Sequence, residues 1–170
     1  MRQILTFSII IVLFYGGRSF FFSGEQKTEK AVKTAEKKPK VDPLTEILKT
    51  AHDLVGSPYR GGGRTPEGFD CSGFVGYVFA SQNIQLPRSS KAMAKAGKEV
   101  GPGEWEAGDL LFFQGSNQSD PSIGHVGILY EKKGDQIYMV HASNRGVVID
   151  DISRMRYYRD RYLMARRVID

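Results

Sequence analysis

The change from helical to strand periodicity along the chain is the feature that most limits its fold. Apolar residues between 44 and 55 recur at helical spacing after Asp42-Pro43, an N-cap followed by proline at the first helical position. From Gly101 onward the apolar residues form short runs divided by turn residues, which predict strands at 110–113, 125–130, 136–142, 147–149 and 162–169. Helices followed by an antiparallel sheet predict an α+β domain.

Two segments of different composition precede this domain. Residues 1–23 contain an apolar run from Ile4 to Tyr15 behind a single arginine, which is typical of a signal peptide; an uncleaved membrane anchor is the alternative. Residues 24–42 are rich in Lys, Glu and Thr and predict a disordered linker, so the folded domain is expected at 43–170. We therefore expect an exported protein of the periplasm or cell envelope, associated with the membrane if the first segment is retained.

The net charge of +5 does not indicate a nucleic-acid-binding protein, because six lysines lie between Lys27 and Lys40, in the predicted linker. The folded part is therefore much closer to neutral. One cysteine excludes a disulfide within the chain and leaves the thiol free for chemistry. We expect no nucleic-acid partner, and we take a monomer as the oligomeric state.

Cys71 lies where a helix is predicted to begin. Asp70 is a suitable N-cap, and the following residues predict a helix to about Ser81. Because the unpaired N–H groups of a first helical turn favour a thiolate, we expect a lowered pKa for this thiol, within about 3.5–7.5 when a base is near. The competing interpretation is a buried structural cysteine.

A thiol nucleophile needs a base, and the chain has three histidines. His52 lies off the apolar side of the first predicted helix and is expected at the surface. His125 begins one predicted strand and His141 ends the next. A hairpin brings such positions to the same end of a sheet, so the pair could supply a base and a group that orients it. For either histidine alone, a structural hydrogen bond remains the simpler interpretation.

Other chemistries are less compatible with this sequence. One cysteine and two histidines could bind zinc, but neither a C-x-x-C nor an H-E-x-x-H spacing is present. No G-x-S-x-G motif indicates a serine hydrolase, and no glycine-rich phosphate loop follows a strand. We expect neither a metal nor an organic cofactor.

Taken in order, several short blocks resemble the motifs of the NlpC-type cell-wall endopeptidases, and the resemblance extends over about residues 43–170. The blocks are Tyr59-Arg60-Gly61-Gly62, Gly68-Phe69-Asp70-Cys71-Ser72-Gly73-Phe74-Val75, Leu86-Pro87-Arg88-Ser89-Ser90, Gly108-Asp109-Leu110-Leu111-Phe112-Phe113, His125-Val126-Gly127-Ile128 and His141-Ala142-Ser143.

The resemblance implies a compact papain-like α+β fold, with the nucleophile helix packed on an antiparallel sheet. Cys71 matches the nucleophile, and His125 matches the general base. His141 matches the polar residue that orients the base. Tyr59 matches the tyrosine whose hydroxyl helps to stabilise the oxyanion, with the Cys71 backbone N–H as a second donor.

Asp70, Ser72 and Arg88 match positions that line the substrate cleft, although an N-cap and an ion pair would also explain Asp70 and Arg88. Two positions depart from the pattern: Gly61 replaces a usual aromatic residue, and Met93 replaces a common glutamine. Both changes are expected to alter the shape of the cleft and hence the peptide preference.

The resulting prediction is an exported cysteine endopeptidase that hydrolyses peptide bonds in the stem or cross-linking peptides of peptidoglycan through a thioacyl-enzyme. The D-Glu to diamino acid bond and a D,D cross-link both remain open as the scissile bond. The alternatives are a catalytically silent wall-binding or regulatory module, and thiol amidase or transpeptidase chemistry on the same scaffold.

Overall fold

The computed structural model describes residues 42–117 and 119–169, so the predicted signal segment and nearly all of the predicted linker lie outside the described residues. Its helices and strands follow one another along the chain as α1 (Pro43–Asp53), β1 (Arg64–Thr65), β2 (Gly68–Phe69), α2 (Cys71–Ala80), α3 (Ser90–Met93), β3 (Lys98–Val100), β4 (Leu110–Gln114), β5 (Ile123–Lys133), β6 (Gln136–Ser143), β7 (Gly146–Asp151), α4 (Arg156–Arg159) and β8 (Tyr162–Arg167).

The helix starts follow from local sequence. The Asp42 carboxylate accepts the Thr45 N–H at 3.3 Å, and Pro43 occupies the first turn of α1. Ser89 caps the short helix α3 by accepting the Ala92 N–H. The N-cap predicted at Asp42 is therefore confirmed, although Val55, at the end of the predicted apolar face of α1, is 44% exposed.

Six strands form one antiparallel sheet in the order β3-β8-β4-β5-β6-β7. The strands β5 and β6 form the hairpin expected from the sequence, with Ile128 opposite Val140. Four elements were not predicted: the two strands of the small β1-β2 hairpin just before α2, the strand β3, which precedes Gly101, and the short helix α4. The predicted α+β, papain-like arrangement is confirmed, because α2 packs directly on β5 and β6.

Apolar side chains are buried on both faces of the sheet. On one face, the helices cover a core that includes Phe74, Phe112 and Val140. On the other face, Phe113, Met139 and Tyr158 belong to a second apolar cluster, against which the loop residues Trp105 and Met155 pack. Each large side chain buried in this way contributes about 1.5–3 kcal/mol, so both clusters hold the sheet in place.

Two glycines allow the loop before α2 to approach the helix closely. A Cβ at Gly73 would lie 1.9 Å from the Gly63 carbonyl oxygen, and a Cβ at Gly63 would lie 2.1 Å from the Gly68 carbonyl oxygen. The Gly63 carbonyl also accepts the Asp70 N–H at 3.1 Å. Gly63 and Gly73 therefore fix where the first turn of α2, and with it Cys71, lies.

Candidate active site

Cys71 is the first residue of α2, as predicted, and its side chain is partly buried. Its Sγ lies 4.0 Å from the Gly124 carbonyl oxygen and accepts a hydrogen bond from the Val126 backbone N–H. Gly124 and Val126 flank His125 in β5, so the thiol lies against the backbone of the histidine predicted to be its base.

The pKa of the Cys71 thiol differs from the sequence-based prediction. Burial raises the pKa of Cys71 above its usual value, although the N–H groups of Val126 and Ser72 act in the opposite direction. The predicted lowering of the Cys71 pKa is therefore wrong, because loss of solvent outweighs the favourable backbone groups. Cys71 is a neutral thiol.

His125 and His141 lie in contact, as the predicted hairpin led us to expect. The Nε2 atom of His125 lies 3.1 Å from Nδ1 of His141, and the two rings are nearly perpendicular, at 87°. Gly127, between them on the same face, has no side chain; a Cβ there would lie 3.0 Å from the His141 Cβ and closer still to Met139. The glycine of the His125-Val126-Gly127-Ile128 motif thus leaves room for the histidine pair.

Burial and the neighbouring His141 lower the pKa of His125 from 6.5 to about 3. The imidazole is therefore uncharged at neutral pH, in a form that can accept a proton. Because Nε2 contacts His141, Nδ1 is the nitrogen left for another partner. Nδ1 is also the nitrogen closer to the residue's own backbone, where the Cys71 Sγ lies.

His141 is fully buried and has two further partners. Its Nε2 lies 3.1 Å from Oδ2 of Asp150 and 3.4 Å from the Tyr158 hydroxyl. The same Asp150 oxygen accepts a hydrogen bond from Arg145 at 2.6 Å. The hydrogen bonds from His141 and Arg145 lower the pKa of Asp150 despite its burial, so this carboxylate is ionised.

Asp150, Arg145 and Tyr158 were not predicted as site residues. Asp150 lies two residues after Val148, which is opposite His141 in the β6-β7 ladder, so both project from the same face as the histidine. The sequence predicted a strand at 147–149, but it did not show the register that brings Asp150 to His141.

Tyr59 lies at the edge of the same site, half exposed, in a loop that bridges to Phe69 just before α2. Burial raises the pKa of its hydroxyl, and the nearby Cys71 and Asp70 raise it further when they are charged. The phenol therefore stays protonated at neutral pH and is available as a hydrogen-bond donor.

Asp70, Ser72 and Arg88 form one hydrogen-bonded group beside Cys71. Asp70 caps α2 by accepting the Gly73 N–H at 2.6 Å, and it also accepts hydrogen bonds from Ser72 and from Arg88 at 2.6 Å. Arg88 donates a further bond to the Ser72 hydroxyl at 2.8 Å. Burial opposes ionisation of Asp70, but the bonds from Arg88 and Gly73 lower its pKa overall. The N-cap and ion-pair interpretations are thus both correct, and neither excludes contact with substrate.

Two open cavities have lining residues close to Cys71. One, of about 510 Å³, is lined by Tyr59, His125 and Arg145 among others. The second, of about 420 Å³, is lined by residues that include Ser72 and Arg88. Cys71 is adjacent to Ser72, and its Sγ lies 4.0 Å from the carbonyl oxygen of Gly124, so the thiol lies between residues that line the two cavities.

Within residues 42–117 and 119–169, no three His, Cys, Asp or Glu side chains are grouped so that they could hold a metal ion. Within the same residues, no helix is both long and apolar enough to cross a bilayer.

Comparison with known proteins gives a consistent picture. The family model described as the NlpC/P60 family matches residues 56–167. The gamma-DL-glutamyl hydrolase of Bacillus subtilis (strain 168) is 38% identical over 124 residues, which cover 72% of this chain and 29% of that protein. The bifunctional muramidase/DL-endopeptidase CwlT of the same organism is 35% identical over 149 residues, 87% of this chain and 42% of that protein.

Among solved structures, the peptidoglycan hydrolase RipB of Mycobacterium tuberculosis superposes with a TM-score of 0.58 at 27% sequence identity, covering 75% of this chain and 65% of that one. The chain spans less than half the length of the two Bacillus relatives.

Proposed function

The chain belongs to the NlpC/P60 family, and we propose that it is a cysteine endopeptidase acting on peptidoglycan stem peptides. One observation carries the proposal: the Cys71 Sγ contacts the backbone on both sides of His125, whose Nε2 is bonded to His141. A nucleophile, a base and a group that orients the base are therefore contiguous.

In the proposed reaction, His125 Nδ1 accepts the Cys71 proton as Sγ attacks the scissile carbonyl carbon. The carbonyl oxygen becomes an oxyanion, which accepts hydrogen bonds from the Tyr59 hydroxyl and the Cys71 backbone N–H. The C–N bond then breaks, and the His125 imidazolium returns the proton to the leaving amine. A water molecule, deprotonated by His125, hydrolyses the thioacyl-enzyme and frees the thiol.

The two pKa shifts decide when the proton moves. The pKa of Cys71 is raised and that of His125 is lowered, so the free enzyme holds a neutral thiol and a neutral imidazole. We infer that the proton is transferred as the substrate carbonyl is attacked, rather than beforehand as in a preformed thiolate–imidazolium pair. Such a thiol is less exposed to oxidation while no substrate is bound, because the thiolate is the reactive form.

The names of the two Bacillus relatives favour one bond over the other candidate. One is a gamma-DL-glutamyl hydrolase and the other a DL-endopeptidase. We therefore assign this chain the bond from the γ-carboxyl of D-glutamate to the L-centre of the following diamino acid, and not a D,D cross-link. Such a substrate is anionic, and Arg145 and Arg88 line the two cavities that would receive it.

The proposal places the enzyme in the cell envelope, where this substrate occurs. All the site residues come from one chain, so a monomer is sufficient for the reaction. Retention at the membrane would depend on residues 1–23.

The deciding experiment is digestion of purified peptidoglycan by the full chain, with products identified by mass spectrometry. The wild type is expected to release fragments that end in D-glutamate, and Cys71→Ala and His125→Ala are expected to release none. His52→Ala, which replaces an exposed histidine outside the site, is the matched control and should retain activity.

Three outcomes would redirect the assignment. D,D fragments would change the scissile bond but keep the enzyme class. Release of whole stem peptides from the glycan, or of ammonia from amidated residues, would indicate amidase chemistry, and new cross-links would indicate transpeptidase chemistry. Tight binding without any fragment, from folded wild type with a reduced thiol, would indicate a wall-binding module and refute the peptidase.

A further inference from the structure

We propose that Asp150 is a positioning residue that sets the tautomers of both active-site histidines, so that His125 presents an unprotonated Nδ1 to Cys71. Arg145 holds Asp150 in place for this purpose. The catalytic consequence rests on the proposed function, whereas the tautomers themselves do not.

In the first step, Asp150 determines the tautomer of His141. The Asp150 side chain is only 12% exposed. Its Oδ2 accepts the Arg145 guanidinium N–H at 2.6 Å and faces His141 Nε2 at 3.1 Å. An ionised carboxylate has no proton to donate, so the hydrogen bond requires a proton on Nε2 of His141. Arg145 balances the charge of Asp150, so the buried histidine gains an acceptor without net negative charge beside it.

In the second step, the tautomer of His141 determines the tautomer of His125. When the His141 imidazole is neutral it carries a single N–H, and a proton on Nε2 then leaves Nδ1 as an acceptor. His125 Nε2, at 3.1 Å, must then be the donor. This leaves the lone pair of His125 on Nδ1, the nitrogen that is not bonded to His141. Through these two hydrogen bonds, the Asp150 carboxylate determines whether Nδ1 of His125 carries a proton.

Tyr158 could set the opposite arrangement. Its hydroxyl lies 3.4 Å from the same Nε2 of His141 and can donate as well as accept. If the hydroxyl donated to Nε2, both histidines would reverse, and His125 would carry its proton on Nδ1. The Asp150 contact is shorter and charged, so it prevails and leaves the Tyr158 hydroxyl as an acceptor or as a donor elsewhere.

Asp150→Asn replaces the obligate acceptor with an amide whose NH₂ can donate to His141 Nε2. The tautomers of both histidines are then expected to reverse. The corresponding Asp→Asn change in a serine protease triad produces the wrong histidine tautomer and lowers kcat by about 10⁴. Here we expect kcat to fall about 10²–10⁴-fold with KM changed less than about threefold.

Histidine tautomers are measured directly by long-range ¹H–¹⁵N correlation spectra of the full chain, whose three histidines are assigned with single His→Gln variants. For the wild type at neutral pH we expect Nε2–H on both His125 and His141. For Asp150→Asn we expect Nδ1–H on both. Asp150→Glu keeps a carboxylate and should retain the wild-type pattern. Asp151→Asn, which removes the adjacent charge away from the histidines, is the matched control and should also retain it.

The proposal is refuted if wild-type His125 carries its proton on Nδ1, or if Asp150→Asn leaves both tautomers unchanged. The wild-type spectrum is decisive even if Asp150→Asn fails to fold. Because the spectra need no substrate, they remain a test when no peptidoglycan is hydrolysed, and that second failure would concern only the proposed function.

Discussion

Gly127→Ala tests whether the space between the two histidines is needed for their contact. The added Cβ would lie 2.5 Å from Met139 Sδ, 2.7 Å from Met139 Cγ and 3.0 Å from His141 Cβ. Unstrained heavy-atom contacts are about 3.5–4.0 Å, so Met139 must move by about 1 Å and His141 by about 0.5 Å. Met139 and His141 are both fully buried, so neither can move into solvent.

The expected effect on stability follows from overpacking a closed core. Such substitutions cost about 1–3 kcal/mol, so Gly127→Ala should lower the free energy of unfolding by that amount in urea denaturation. Gly76→Ala is the matched control, since its Cβ would meet only Met93 Cε, at 3.7 Å. Gly76 lies within α2, where alanine is favoured by about 0.5–1 kcal/mol, so this variant should be no less stable than wild type.

The expected effect on activity comes from the displaced His141. Its 3.1 Å bond to His125 is near the optimum, and a shift of about 0.5 Å lengthens it beyond hydrogen-bonding range. We expect kcat on peptidoglycan fragments to fall about 10–100-fold, measured under conditions where the variant is fully folded. Wild-type stability together with wild-type kcat for Gly127→Ala would refute the reasoning that the glycine makes room for the pair.

Three further predictions concern charged groups. The pKa of His125 falls from 6.5 to about 3 on folding, so between these pH values the unfolded chain binds a proton that the folded protein does not. The free energy of unfolding should therefore decrease as the pH falls from about 6.5 towards 3, by at most about 1.4 kcal/mol per pH unit. Urea denaturation at several pH values measures this decrease. Arg167→Ala removes two hydrogen bonds, of 2.8 and 2.9 Å, from Asp109, which is only 1% exposed, and should cost about 3 kcal/mol in the same assay. Arg88→Ala removes the hydrogen bonds from Arg88 to Ser72 and Asp70 beside the nucleophile, and it should raise KM about tenfold or more with a smaller change in kcat.

Each of these has a result that would contradict it. His125→Gln should flatten the slope between pH 6.5 and 5, and an unchanged slope would show that another group is responsible. Arg156→Ala removes a pair whose arginine is 85% exposed, so a loss as large as that of Arg167→Ala would contradict the burial argument. For Arg88, a fall in kcat at constant KM would indicate a role in the chemical step instead of in binding.

Local rules of sequence were sufficient for much of the scaffold. Asp42 and Asp70 cap helices because a short acceptor side chain beside a helical pattern satisfies free N–H groups, which involves only a few neighbouring residues. The β5-β6 hairpin, and with it the proximity of His125 and His141, followed from two apolar runs joined by a short turn. The roles given to Cys71, Tyr59 and the histidines remain predictions for the experiments above.

The thiol's ionisation could not be inferred locally. The first-turn position of Cys71 favours a thiolate, whereas the packing of α2 against β5 removes solvent and raises the pKa. Burial depends on residues more than fifty positions away, at Gly124 and Val126. A sequence shows which backbone groups adjoin a side chain, but only the packed chain shows how much water is lost around it.

By itself, the sequence determined the order of the longer helices and strands, the N-caps of α1 and α2 and the pairing of the histidine hairpin, because each depends on periodicity or on residues a few positions apart. Three features depend on the tertiary structure alone. Asp150 contacts His141, Arg145 donates a hydrogen bond to Asp150, and Gly127 leaves room for the two histidines. These contacts depend on strand register, and a shift of one residue would turn Asp150 to the opposite face of the sheet.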